Sequence, residues 1–316
     1  MILIDFSQIV HSNIYNIKND IENDGLETAM KCLRHLIINH ILYITKKYSS
    51  ENEIILCIDG GSWRYDIHPN YKARRKIRRM ADTSLDMEAI MAHVKEFEEE
   101  IKEHFPFVFI KVKKAEGDDV IGTLTYHFLK TRKTERIIIV SNDKDFKQLH
   151  VNKRVVQYNL REKKEIHCIS GKNELMYLIL KGDDSDDIPN VRTSNLNVFV
   201  TPNERQKKMW NETKLWEHIN NNSVFDELLF NEVAGEVDDA LFENFERNRK
   251  LIDLRMIPEL IKDKIISEYE KESSMIRNGK IKLLQYFIKE KMSNMSDRID
   301  EFGRFYNRKK EESNGC

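Results

Sequence analysis

Four consecutive β-branched residues, Ile137-Ile138-Ile139-Val140, run straight into Ser141-Asn142-Asp143-Lys144-Asp145-Phe146. No other stretch limits the possible folds so tightly. β-Branched side chains suit a pleated strand, and an unbroken apolar run predicts a central strand that is buried on both faces. Asp143 and Asp145 then stand just past its carboxyl end, where open α/β sheets place their ligands. An acidic turn after a strand is ordinarily only a solvated loop, so the pair gains meaning if other strands end in the same way.

Two earlier strands do. Met1-Ile2-Leu3-Ile4 stops at Asp5, and Glu53-Ile54-Ile55-Leu56-Cys57-Ile58 stops at Asp59, followed by Gly60-Gly61 as a turn requires. Apolar residues Met30, Leu33, Ile37, Ile41 and Ile44 recur at helical spacing between them. A third strand over 107–112 leads into Glu116-Gly117-Asp118-Asp119, which open a helix carrying Val120, Ile121, Leu124 and Phe128. Acids in a first helical turn are ordinary caps, but three within four residues exceed what capping needs. Beyond the opening stretch, 155–160 and 165–169 predict a hairpin. A helix over 171–181 ends at Gly182, and Asp183-Asp184-Ser185-Asp186-Asp187-Ile188-Pro189 follows. Neither Asp143 nor Asp183 begins a loop of EF-hand type. After Pro189 the strand-like runs cease. Helices are predicted at about 204–221, 237–252, 258–271 and 279–292, ahead of a charged tail over 295–316 in which Phe302, Phe305 and Tyr306 are expected to be exposed.

Between the second strand and the third, 63–79 holds Arg64, Lys72, Arg74, Arg75, Lys76, Arg78 and Arg79, with Trp63, Tyr65 and Tyr71 interleaved and only Asp66 opposing them. Formal net charge over the whole chain is −1, so this is a local concentration of charge and not a global basic field. A solvated helix face would account for it. Cations interleaved with aromatics that can stack on bases favour a phosphate-binding surface. Cys32, Cys57, Cys168 and Cys316 form no CxxC pair, which argues against a disulfide framework or a thiolate zinc site and fits a reducing cytosol. No segment has the length and apolarity of a membrane span, and the short N-terminal apolar run is interrupted by Asp5. A soluble, cytoplasmic, monomeric protein with no membrane partner is expected.

Short connections would bring Asp5, Asp59, Glu116, Asp118, Asp119, Asp143, Asp145, Asp183 and Asp186 to one edge of a mostly parallel sheet. So many carboxylates cannot all stay ionised together without cations, because like charges raise one another's pKa and destabilise the fold. No histidine or cysteine accompanies them at ligand spacing, and all-oxygen donors select Mg²⁺ or Mn²⁺ over zinc. Two such ions about 4 Å apart can activate a water and stabilise a leaving oxygen in phosphodiester cleavage. With a basic segment nearby to hold a polyanion, a metal-dependent nuclease is the leading reading. Two others compete with it. An acid-cluster phosphatase of the haloacid-dehalogenase type needs an acid where Ser7 stands, and a non-catalytic branched-DNA-binding module would be expected to have lost carboxylates.

The same residues carry a family resemblance. Ile4-Asp5-Phe6-Ser7, Cys57-Ile58-Asp59, Tyr71-Lys72-Ala73-Arg74-Arg75, Glu116-Gly117-Asp118-Asp119, Ser141 to Phe146 and the Gly182-Asp183/Asp186/Ile188-Pro189 segment occur in order. Together they resemble the successive motifs of the 5′→3′ exonuclease/flap endonuclease family, most closely its T-even-type phage ribonuclease H branch. The resemblance implies an α/β, PIN-like fold: a mostly parallel central sheet flanked by helices, a helical arch and a smaller all-helical C-terminal domain. It places the nuclease domain at 1–188 with the basic arch at about 61–104, the helical duplex-binding domain at 189–294, and the tail at 295–316. It implies a first metal site of Asp5, Asp59, Glu116 and Asp118 with Asp143 near it. A second would lie around Asp143, Asp145 and Asp186, with Asp183 and Asp119 as outer ligands. Lys72 and Arg75 would bind the scissile phosphate. The implied substrates are RNA–DNA hybrids, nicked or branched DNA and 5′ flaps. Primer removal during lagging-strand synthesis is the implied task, in the host cytoplasm if phage-encoded, with a single-strand binding protein or sliding clamp docking at the tail. The chain departs from the family in two places: no Gly-x-Gly-x-Lys-like loop follows Val191, so no K⁺ site is expected, and Asp187 stands where asparagine is common.

Overall fold

A computed structural model describes residues 1–49, 53–81, 84–231, 236–275, 279–303 and 305–306; the side chains of Arg79, Met80 and residues 230–231 and 236–237 lie outside that set. The apolar runs form the strands β1 (Ile2–Asp5), β2 (Ile54–Ile58), β3 (Val108–Lys111), β4 (Ile137–Val140), β5 (Val155–Asn159) and β6 (Lys164–Ile166) of one sheet, in the order β3-β2-β1-β4-β5-β6. All neighbours pair in parallel except β5 with β6, the expected hairpin. The chain winds outward from β1 in one direction to β3, then returns to the other side of β1 at β4. That reversal leaves a crevice at the carboxyl ends of β1 and β4, the place such a sheet offers a ligand.

Side chains alternate along each strand, so the unbroken apolar runs serve two cores. Ile2, Ile4, Leu56, Ile58, Ile138 and Val140 face one side, while Leu3, Ile55, Cys57, Ile137 and Ile139 face the other. Helices α1 (Phe6–Ile14), α2 (Lys18–Asp24) and α3 (Leu26–Lys47) follow β1, and α4 (Ala73–Ala81) and α5 (Met87–His104) follow β2. Of these, α1, α3 and α5 cover the first face; Ile90, Val94, Phe97 and Ile101, at helical spacing, form the buried side of α5. The basic part of 61–104 therefore rests on α4 and the turn before it. On the second face lies α6 (Gly117–Thr131), so close to the chain that a Cβ on Gly122 would stand 2.9 Å from the Leu254 side chain.

After α7 (Gly171–Lys181) the chain builds a third cluster with α8 (Glu212–Asn220) and α9 (Asp239–Ile252). It then returns to the sheet. Ile261, Ile265 and Tyr269 of α10 (Glu259–Ser274) join the second face, while Leu283, Tyr286 and Phe287 of α11 (Lys280–Lys289), with Met295 of α12 (Ser293–Ser296), join the first.

Two expectations are corrected. The helix predicted from 204 begins only at Glu212. The first part of the predicted stretch is held to the preceding loop instead: Lys207 N donates to Thr193 Oγ1 at 2.8 Å and Asn190 Nδ2 donates to Lys207 O at 2.9 Å. Backbone groups spent on loop side chains are not available to a helix. The tail aromatics are not exposed either: Phe302 and Phe305 are 0% and 8% exposed, packed against Phe107, and Tyr306 OH donates to His104 O at 3.2 Å. They supply core surface and not a docking site. Arg304 and the remainder of the tail from 307, including Arg308, Lys309 and Lys310, lie outside the described residues.

Candidate functional site

The carboxylates reach the crevice from several elements, and the local bond that fixes each is often a cap. Asp5 ends β1 and caps α1, its Oδ1 accepting from Gln8 N at 3.0 Å. Asp143 caps the short turn over 144–149, its Oδ1 accepting from Asp145 N at 2.9 Å. Glu116 and Asp119 form a capping box at the start of α6. Asp59 accepts from Gly117 N at 2.6 Å, and a Cβ at Gly117 would lie 3.2 Å from that oxygen. Asp183 and Asp186 sit in the turn after α7, which Asp183 and Ile188 close through reciprocal backbone bonds of 2.9 and 2.8 Å.

These turns surround a cavity of about 840 Å³ lined by Asp5, Asp59, Glu116, Asp118, Asp143, Asp145, Asp183 and Asp186, with Lys72, Arg75 and Lys76 also on its wall. Glu116 and Asp186 already have cationic partners. Lys72 Nζ bonds Glu116 and stands 3.6 Å from Asp186, and Arg75 reaches Asp186 at 2.7 Å. Tyr71 OH bridges the same two acids, 3.0 Å from Glu116 and 2.8 Å from Asp186. Ser62 Oγ donates to Glu116 at 2.8 Å.

Burial and mutual repulsion leave Asp5, Asp118 and Asp145 poorly compensated. Burial, reinforced by Asp59 and Asp143, pushes the Asp5 carboxyl up to about 7. Asp118 and Asp145 are raised well above the usual carboxylate range by burial first and neighbouring aspartates second. Burial also raises Asp186, against the pull of Lys72 and Arg75. Burial opposes ionisation of Glu116 too, but there Lys72 and Arg64 together outweigh it and the pKa is lowered. Asp145 Oδ1 is buried and accepts no hydrogen bond among the described residues.

A group of carboxylates with raised pKa values and an orphaned buried carboxylate oxygen is matched to a hard divalent cation. Among the described residues no three His, Cys, Asp or Glu side chains stand close enough together, as placed, to hold a metal ion.

Four expected positions fall elsewhere. Asp119 is 0% exposed, does not line the cavity and pairs with Arg64 at 2.9 Å. Arg64, expected on the nucleic-acid surface, is 4% exposed and bonded to Glu116 at 2.8 Å; a buried guanidinium between two carboxylates cannot meet a phosphate. Tyr71 and Trp63 are buried as well, so neither offers a ring face to a base. Tyr65, on the cavity rim and 49% exposed, does. Lys76 and Arg78 are exposed, Arg75 is half-buried at the cavity, and Arg74 turns to Asp187; the Arg79 side chain lies outside the described set. Lys144 is exposed, beside the cluster but not within it. Charge counting missed the neutral supports. Ser7, Gln8 and His11 line the cavity from α1, and Gln8 Oε1 accepts from Asn142 N at 2.9 Å. Their helical spacing just past the Asp5 cap was the available signal.

Comparison with known proteins identifies the family. Residues 1–176 match the family model of the 5′-3′ exonuclease N-terminal resolvase-like domain, and residues 169–302 match that of the T4 RNase H C-terminal region. The ribonuclease H of Enterobacteria phage T4 is 30% identical over 307 residues, covering 95% of each chain. The flap endonuclease Xni of Shewanella sp. (strain ANA-3) is 28% identical over 183 residues, 55% of this chain and 62% of its own. Among solved structures, the bacteriophage T5 flap endonuclease in a pseudo-enzyme–product complex with DNA and metal ions superposes with a TM-score of 0.60 at 14% identity, over 87% of this chain and 99% of that one. The chain belongs to the 5′→3′ exonuclease/flap endonuclease family and is a nuclease that hydrolyses phosphodiesters.

Proposed function

We propose that this chain is a Mg²⁺-dependent 5′→3′ exonuclease and flap endonuclease, with Mn²⁺ able to substitute, that removes RNA primers and short DNA from 5′ ends during lagging-strand synthesis. In this reading Asp5, Asp59, Glu116 and Asp118 hold one ion. Asp145 and Asp186 hold a second, Asp183 stands behind them, and Asp143 lies between the two groups. The observation that carries it is the convergence of eight carboxylates and three cationic side chains on one cavity, with Asp145 Oδ1 accepting no hydrogen bond among the described residues.

Bound divalent ions would supply an activated water and charge neutralisation at the leaving oxygen. The protein's own residues supply the rest. Lys72, just before α4, and Arg75, in its first turn, offer donors to a phosphate entering the cavity. Tyr71, Ser62 and Arg64 hold Glu116 so that its position does not depend on the substrate. Lys76 and Arg78 extend the cationic surface outward along α4, and Tyr65 presents a ring at the rim. We read 1–188 as the nuclease body and the protein as a monomer acting on nicked or branched DNA and RNA–DNA hybrids. No helix among the described residues is long and apolar enough to cross a membrane.

The test is cleavage of a 5′-labelled RNA–DNA hybrid and a 5′ flap with Mg²⁺, then with EDTA. Activity should vanish with EDTA and in the Asp118→Asn, Asp145→Asn double variant. Undiminished cleavage by that variant would refute the assignment.

A further inference from the structure

Asp187 belongs to the acidic turn but does not line the cavity. It is 0% exposed and holds a left-handed φ of 61°. Its carboxylate is spent entirely on Arg74: Oδ2 accepts the backbone N–H at 2.8 Å and Oδ1 accepts the guanidinium Nε. Arg74 is the second residue of α4, so that N–H is one of the donors a helix leaves unpaired at its start. The cap comes from 113 residues further along the chain.

The contacts around it tie the same two segments together. Lys72 N donates to Asp186 O at 3.0 Å, Arg75 Nε donates to Ser185 O at 3.1 Å, and His68 Nε2 lies 2.8 Å from Asp187 O. Beyond them the irregular 191–211 segment braces the helix: the Arg74 guanidinium lies 4.2 Å from the Phe199 ring centroid, and Asn70 Nδ2 donates to Asn197 Oδ1 at 2.6 Å. Lys72, between these bonds, has a φ of 56°, a backbone conformation that a lysine keeps only where its surroundings impose it.

We infer that Asp187 is a positioning residue: by capping α4 from the acidic turn it sets where Lys72 and Arg75 stand over the carboxylates. This rests on the proposed role of those two cations. The turn that supplies Asp183 and Asp186 to the cavity and the helix that supplies the cations thus move as one piece. A carboxylate suits this position because it meets both the helix's partial positive charge and the Arg74 side chain.

The test is single-turnover cleavage of a 5′ flap with Mg²⁺, comparing the native chain, Asp187→Ala, Asp187→Asn, the Lys72→Ala, Arg75→Ala variant and the latter combined with Asp187→Ala. Asp187→Ala should slow the maximal rate roughly 10- to 100-fold, the scale of a displaced catalytic group, while the half-saturating concentration moves much less. Asp187→Asn keeps an oxygen for Arg74 N–H and should recover part of the rate. In the Lys72→Ala, Arg75→Ala background, removing Asp187 should cost nothing more. An undiminished rate for Asp187→Ala, or the same loss in that background, overturns the inference; Asp187→Asn carries the comparison if the alanine variant does not fold. A Lys72→Ala, Arg75→Ala variant that cleaves at the native rate overturns it too, and does so by removing the role of the cations and not that of Asp187.

Discussion

Arg64 and Lys72 come from one basic segment yet hold opposite oxygens of Glu116, Arg64 on Oε2 and Lys72 on Oε1. What separates them is depth. Burial works against the charge on Arg64, but Asp119 and Glu116 outweigh it and the pKa is raised. Removing a buried cation leaves carboxylates facing one another in low dielectric, so Arg64→Met is expected to cost about 3–5 kcal/mol, read as a lower urea midpoint. Adding Asp119→Leu should return only part of it, because Glu116 still lacks its guanidinium and the capping bond from Glu116 N to Asp119 is lost. A linear pattern of charges cannot say which cation turns inward, and for that reason Arg64 and Tyr71 read as surface groups. The acids were legible because each stands where an apolar run stops, and the end of a buried strand is a fixed place in such a sheet.

Among the elements, strands and long amphipathic helices followed from periodicity, whereas the short pieces that close the fold did not. The segment from 293 to 306 combines a four-residue helix, a single 3-10 turn and charged residues, too little regular structure for any period to show. Yet Phe302 sits among Phe105, Phe107 and Phe287, with no exposure at all. Replacing it with alanine removes core surface and leaves a cavity, so Phe302→Ala is expected to destabilise by about 3–5 kcal/mol. Ile288→Ala, on the outer side of α11 and 64% exposed, should stay within about 0.5 kcal/mol. Thermal unfolding of the two variants separates a tail that docks on the sheet from one that hangs free. The reversed order, with Ile288→Ala the costlier, would mean that α11 presents its other face to the core.

At the scale of the whole molecule, a net charge of −1 conceals an arrangement in which folding itself gathers repelling carboxylates at one sheet edge. That has a consequence for stability. A carboxyl whose folded pKa is raised binds its proton more tightly when folded, so it adds stability at low pH and loses it as pH rises through the folded value. For Asp5 the window runs from the ordinary 3.8 up to about 7; Asp118 and Asp145 shift in the same direction. In EDTA, Asp5→Asn should therefore become progressively more stable than the native chain as pH is raised across that window. Asparagine can still cap α1 through its side-chain oxygen, so the comparison isolates the charge. Saturating Mg²⁺ should reverse the order at neutral pH, because a cation bound to the folded state stabilises the carboxylate form by mass action. If urea midpoints show the native chain gaining on Asp5→Asn as pH rises in EDTA, the cluster is not a store of unneutralised charge. The cations of α4 would then be enough to balance it, and the need for divalent ions would have to come from the chemistry and not from the fold.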